Sequence, residues 1–275
     1  MFVEADARVL LDKLRSAFAS PNYQPPVLPA VGMQLMELTQ RDPDFGDIER
    51  LLQKDPMIAA RVLSVAQSAR YASAHEVRTL RQALTRIGLG TMAQIFLQVV
   101  MQMRVFRCPG YEQPMKMLHR HCTVTAMIAA AGAKLIGEDT QEAFLCGLLH
   151  DVGMAAALIM IAPKKRGREP RPVQEVWPAI RFMHEEAAAR LGKLWKLPQG
   201  VTDVISSHHG ATPDMTPINA LVCLADGLAT THRAGVPMEV APHQSEEARQ
   251  ILQMNKVTLG RLDRLARDAA ASVPE

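Results

Sequence analysis

The adjacent pair His150-Asp151 is set inside an apolar run, with Phe144-Leu145-Cys146-Gly147-Leu148-Leu149 ahead of it and Val152-Gly153-Met154 behind it. No other stretch restricts the fold as much. An imidazole and a carboxylate enclosed by hydrocarbon are destabilising by several kcal/mol unless both find partners. The pair is therefore expected to face a metal or a dense hydrogen-bond network. The candidate partners are His121 upstream and His184, His208, His209 and Asp226 downstream. Nitrogen and carboxylate donors in that mixture suit Zn, Mn or Fe rather than Ca. Taken singly, a histidine or aspartate in an apolar helix is most often a hydrogen-bonded core residue.

Enclosing such a pair requires a substantial core, which a chain of 275 residues can supply. The residues are 48% hydrophobic but only 4% aromatic, with sixteen Met, which favours packed helices over sheets. An all-α fold is predicted. The 31 basic and 28 acidic side chains leave a net charge of +3, so neither nucleic acid nor an anionic membrane is implied as a partner, and any anion site must be local. Cys108, Cys122, Cys146 and Cys223 are scattered without a CxxC pair, which predicts free thiols and a cytoplasmic location. Two acids in Met1-Phe-Val-Glu-Ala-Asp-Ala-Arg argue against a signal peptide. The most apolar stretch, 145–162, contains His150 and Asp151 and reads as a core segment rather than a membrane span.

Helical periodicity appears at 4–19, where Val9, Leu10, Leu14 and Phe18 form a stripe. Pro21, Pro25, Pro26 and Pro29 then impose an extended connector. Short helices are predicted over 30–40, over 46–54 with Asp44 as cap, over 56–69 behind Asp55-Pro56, and over 80–87 behind Thr79. Gly88 and Gly90 are expected to break the chain before an apolar helix at 91–107. Further helices are expected at 111–136, 140–162, 174–195, 198–209 and 216–233, followed by an amphipathic segment, Ile251 to Ala269. The organisation predicted is an N-terminal helical subdomain (1–107), a helical core (108–236) and a helical tail (237–275) that packs back or mediates self-association. His75, His119, His232 and His243 read as surface residues, Trp195 as packing, and the basic run from Lys164 to Arg171 as a solvated loop.

Several spaced motifs carry a family resemblance: Leu28-Pro29, Lys54-Asp55-Pro56-Met57-Ile58-Ala59-Ala60-Arg61-Val62-Leu63, Gln67-Ser68-Ala69-Arg70-Tyr71, Gln82-Ala83-Leu84-Thr85-Arg86-Ile87-Gly88, His150-Asp151, Trp195-Lys196-Leu197-Pro198 and Ser207-His208-His209. Together, over residues 20–230, they resemble an HDOD domain, a helical output module of bacterial signalling proteins. Its second half is similar to the HD superfamily of metal-dependent phosphohydrolases, especially the HD-GYP cyclic di-GMP phosphodiesterases. That resemblance implies metal ligands at His121, His150, Asp151, His184, His208, His209 and Asp226, with Asp151 bridging two ions. In an enzyme of this kind His150 and Asp151 would be the catalytic pair, and a hydroxide of lowered pKa the nucleophile on a phosphodiester.

Departures from the HD-GYP pattern point away from turnover. Met154 stands where those enzymes carry lysine, and Gly210-Ala-Thr-Pro-Asp-Met-Thr-Pro replaces their Gly-Tyr-Pro signature. Met117 replaces an acidic ligand of trinuclear members, which limits the site to one or two divalent metals (Fe, Mn or Zn), and within the HDOD pattern itself Gln67 replaces an expected asparagine. The expectation is a signalling module that binds a partner protein or a nucleotide second messenger, with a retained metal and little catalysis. A phosphohydrolase acting on cyclic di-GMP or another phosphodiester is the alternative.

Overall fold

A computed structural model of the chain describes residues 2–26, 34, 38, 44–53, 59–60, 63–64, 79–163, 169–209, 215–234 and 242–274. Secondary structure among them is all helical, as the aromatic-poor composition predicts. Contacts divide the chain into two units: residues 27–105, and residues 1–26 together with 106–275. The helices expected at 30–40 and 56–69, the Asp55-Pro56 cap and the basic residues 164–168 lie largely outside the described residues.

The first helix, α1 (Phe2–Ala19), belongs with residues 106–275, whereas the sequence reading grouped it with 1–107. Its stripe explains the placement, because Leu10, Leu14 and Phe18 are buried while Val9 is 52% exposed. In the unit 27–105, Asp44 Oδ1 accepts from Asp47 N at the start of α2 (Phe45–Gln53). Thr79 and Gln82 form a reciprocal capping box on α3 (Leu80–Ile87), with bonds of 3.1 and 3.2 Å. Gly88, at φ +79, ends that helix, but Gly90 does not break the chain and lies inside α4 (Leu89–Arg104).

The larger unit is built on α5 (Glu112–Ile136), which packs against α6 (Thr140–Leu149), α10 (Pro217–Thr231) and α12 (Lys256–Ser272). Gly137 closes α5 in the left-handed region at φ +81, and Asp139 opens α6 by accepting from Gln141 N and Glu142 N. The single helix expected over 140–162 is interrupted: α6 ends at Leu149, His150 and Asp151 form a turn, and α7 runs Val152–Ile161. Two close approaches accompany the break. A Cβ on Gly147 would lie 2.7 Å from Ala126 Cα in α5, and one on Gly153 would lie 1.9 Å from the His184 carbonyl oxygen in α8 (Val173–Leu194). Each half of the apolar run thus presses its glycine against a different neighbouring backbone. The stretch Thr140–Ile161 is apolar enough to cross a membrane by length and composition, but 83% of its most apolar window is buried inside the protein, as a core segment would be.

After α8, Trp195 donates its indole N–H to Pro26 O, and α9 (Gln199–Ile205) leads to His208 and His209. The expected segment Ile251–Ala269 is two elements, because α11 (Pro242–Ile251) ends there and α12 restarts at Lys256 with Asn255 as cap. Gln253, at φ +50, turns the chain between them, so Ile251 does not share a stripe with Leu262. All four cysteines are buried free thiols.

Candidate metal centre

The structure brings all seven proposed ligands together. His121 comes from α5, His150 and Asp151 from the α6–α7 turn, His184 from α8, His208 and His209 from the end of α9, and Asp226 from α10. Six are buried, and His209 is the half-buried one, with its side chain 22% exposed. The interruption after Leu149 lets two consecutive side chains serve one site, which the 100° step of a continuous helix opposes.

Backbone carbonyls orient four of the five imidazoles. Nδ1 of His150 bonds to Gly147 O at 2.8 Å, that of His184 to Arg181 O at 2.5 Å and that of His208 to Ile205 O at 3.3 Å, each three residues earlier. Nδ1 of His121 bonds to Ala234 O at 3.1 Å. A carbonyl only accepts, so these four Nδ1 atoms carry protons and the Nε2 atoms are free to face inward, the arrangement of metal-ligating histidines. Asp151 lies in the middle. Its Oδ1 is 3.7 Å from His184 Nε2 and 3.5 Å from His208 Nε2, while its Oδ2 is 3.6 Å from His121 Nε2 and 3.3 Å from His150 Nε2.

Two donor groups result, each with its ligand atoms within 4.8 Å of one another: Asp151, His184, His208 and His209; and His121, His150 and Asp226. Asp151 Oδ1, His184 Nε2 and His208 Nε2 are buried without a hydrogen-bond partner. Unmet buried polar atoms cost about 1–3 kcal/mol each, and three converging ones fit a cation whose ligands they would be. The second group is closed on itself, with His121 Nε2 3.0 Å from Asp226 Oδ1 and 3.2 Å from His150 Nε2. Burial opposes charge on His150, but the carboxylate of Asp151 outweighs it and raises its pKa to about 9. Burial lowers His208 to about 3, with the neighbouring charge of His209 adding to it, and burial also lowers His184. Burial resists ionisation of Asp226, yet its bond to His121 brings it down to about 2; His150 likewise holds Asp151 well below the usual range against burial.

Sequence reading missed the residues that hold the ligands. Glu185 Oε1 accepts from His209 N at 3.0 Å and lies 3.8 Å from His208 Nδ1. Gly147 and Gly153 permit the backbone contacts described above; their spacing around His150-Asp151 was the available signal. Met154 is completely buried in the core. Two histidines assigned to the surface have partners instead: His119 packs on Phe106 and lies 3.5 Å from Thr123 Oγ1, and His232 pairs with Asp263 at 2.8 Å. Both are drawn inward by neighbours that are distant in sequence or one helical turn away.

Fold and site define a helical protein with a buried histidine–aspartate centre. The HDOD domain signature matches residues 26–211, and the chain belongs to the HDOD family. An HDOD domain protein of Geobacter sulfurreducens superposes with a TM-score of 0.73 at 23% identity, over 99% of this chain and 98% of its own. A Shewanella amazonensis protein, provisionally described as a metal-dependent phosphohydrolase, gives a TM-score of 0.72 at 18% identity, over 98% and 100%. Ribonuclease Y of Enterococcus faecalis is 27% identical over 183 residues, 66% of this chain and 30% of that protein. The chain spans less than half the length of the curated relatives it matches.

Proposed function

We propose that the chain is a metal-holding HDOD signalling module that acts in the cytoplasm through a partner protein or a nucleotide second messenger, with little or no turnover. One observation carries the metal reading: Asp151 directs one carboxylate oxygen to each histidine group, and its Oδ1 and two facing Nε2 atoms have no other partner. Such a carboxylate suits two divalent cations, Fe, Mn or Zn, held by His184, His208 and His209 on one side and His121, His150 and Asp226 on the other. The family supports the signalling role, and four buried reduced thiols support the cytoplasm.

Two features argue against efficient phosphodiester hydrolysis. Rate requires the phosphate held in line by placed donors, and Met154 is a buried thioether at the position where related enzymes carry lysine. The cavity of about 660 Å³ beside Ser207, which reaches Glu185 but none of the seven ligands, is lined by Glu138, Glu142, Glu185 and Asp203 and offers no cationic side chain to hold a phosphate. The complete donor set favours one second reading, a phosphohydrolase acting on cyclic di-GMP or another phosphodiester, and the ribonuclease Y relatives point the same way. Ions bound there would lower the pKa of a water and polarise a phosphoryl oxygen.

Metal analysis of the purified full chain, with titration by Mn, Fe and Zn, tests the first reading; retention of a divalent ion is expected, and no binding at micromolar concentration rejects it. Following cyclic di-GMP and a generic phosphodiester in the wild type and in His150→Ala/Asp151→Ala separates the two readings. Metal-dependent turnover that vanishes in the double variant would make the chain an enzyme.

A further inference from the structure

Arg120 precedes the ligand His121 on α5, and its guanidinium ties three backbone carbonyls together. Nε donates to Val273 O at 3.0 Å, Nη2 to Ala270 O at 2.9 Å and Nη1 to Arg233 O at 2.8 Å. Ala270 and Val273 lie at the C-terminal end of α12, where carbonyls lack helical partners and the macrodipole is negative, so a cation is the favoured partner. Arg233 lies at the C-terminus of α10. There Ala234 N bonds back to Ala229 O at 2.9 Å, and Arg233 takes φ +59, a position usually held by glycine. A non-glycine residue persists in that conformation only where its surroundings hold it. The bond from Arg120 is one hold, and the 2.8 Å bond between His232 and Asp263, from α10 to α12, is another.

The very next carbonyl is that of Ala234, which accepts from His121 Nδ1 at 3.1 Å. One peptide unit therefore separates the Arg120 contact from the contact that orients a ligand ring. The other face of the same ring, through Nε2, meets Asp226 on α10 at 3.0 Å.

We infer that α12, acting through Arg120, is a latch that fixes the 233–234 segment, orients His121 and thereby governs occupancy of the His121–His150–Asp226 group. Arg120 is a positioning residue, and α12 lies outside the residues 26–211 that match the family signature. The inference deepens the two-ion reading above and rests on it for the effect on occupancy. His184 and His208 do not depend on the latch, because their rings are anchored to Arg181 O and Ile205 O instead.

The test uses the full chain with Arg120→Ala, Arg120→Lys and, as a control, Lys116→Ala one turn earlier on the exposed side of α5. Two readouts are taken: water exchange of the histidine Nδ1 protons by nitrogen-15 NMR without metal, and the number and affinity of Mn ions bound. In Arg120→Ala the His121 Nδ1 proton is expected to exchange faster while those of His150 and His184 are unchanged. Mn affinity at the second group should fall about ten- to a hundredfold, the usual effect of losing an outer-shell contact, while the first group keeps its ion. Arg120→Lys should restore both in part, because an ammonium satisfies some of the three carbonyls without the fork of the guanidinium. Unchanged His121 exchange in Arg120→Ala overturns the latch whatever the ion count. Faster exchange in a chain whose wild type binds no ion keeps the positioning role and rejects the two-ion reading. If Arg120→Ala loses its helical circular dichroism, Arg120→Lys is read alone, and loss of folding there too overturns the proposal in favour of a purely structural residue.

Discussion

In the group formed by Asp151, His184, His208 and His209, the inward atoms of the first three have nothing to bond, whereas in the other group His121 Nε2 lies 3.0 Å from Asp226 Oδ1 and 3.2 Å from His150 Nε2. Residue types are the same in both. In the first group burial lowers His184 and, with the neighbouring charge of His209, brings His208 to about 3, while a carboxylate oxygen of Asp151 has no donor. A cation arriving there relieves unmet polar atoms and displaces no proton from His184 or His208. In the second group His150 keeps its proton up to about pH 9, and an ion must displace that proton and open the His121–Asp226 contact. The same residue types, four donors in the first group and three in the second, therefore yield unequal sites, and the first group is expected to bind more tightly.

The largest effect should come from Asp151→Ala, since Asp151 serves both groups. Removing one partner from a buried charge set is worth about 3–5 kcal/mol, about a hundred- to several-thousandfold in affinity, and isothermal titration should show both ions lost. Retention of one tight ion would mean that Asp151 does not bridge. Next come the single-group variants. His208→Ala should abolish the tighter ion and leave the weaker, and His150→Ala should do the reverse, which metal counting by mass spectrometry resolves; identical losses in the two variants would erase the distinction between the groups.

Glycine substitutions sharpen the comparison through packing. Gly153→Ala puts a Cβ 1.9 Å from the His184 carbonyl and Gly147→Ala one 2.7 Å from Ala126 Cα, backbone atoms in both cases. Overpacking of this kind costs about 1–3 kcal/mol, so thermal melts should shift down for both variants and further for Gly153→Ala. Gly153→Ala should also weaken the first group more than the second, because it displaces α8 at His184. The remaining effect is in pH. His150 is raised in the metal-free protein, so protons compete at the second group below about pH 9 and its affinity should climb by about tenfold per unit between roughly pH 6 and 8. Ligation by His184 and His208 should vary less there, since burial keeps both neutral. Parallel pH slopes would contradict the assignment.

Much of the centre was legible from residue type and order. His150 and Asp151 stand out because polar side chains inside an apolar run need partners; His121, His184, His208, His209 and Asp226 are candidates by donor type that the HD resemblance joins into one ligand set, and the structure gathers all seven. The break at His150-Asp151 was not legible: from Ala143 to Ile161 no other position is polar, so periodicity cannot mark where the run turns. The signal lay in Gly147 and Gly153, whose meaning depends on Ala126 and His184 approaching from other helices. His232 looked like a surface residue for the same reason, since Asp263, its partner, is contributed by another helix.

By itself the sequence determined that the chain is helical, where most helices start, and which atoms are available to a metal. Those properties follow from local propensity, capping and side-chain chemistry, which act over a few residues. Only the tertiary structure decided that α1 packs on α8, that four imidazoles turn Nε2 inward, and that Asp151 splits its oxygens between two groups. Each of these depends on a backbone carbonyl or a neighbouring helix placed by long-range packing, and neither has a signature in the residues it serves.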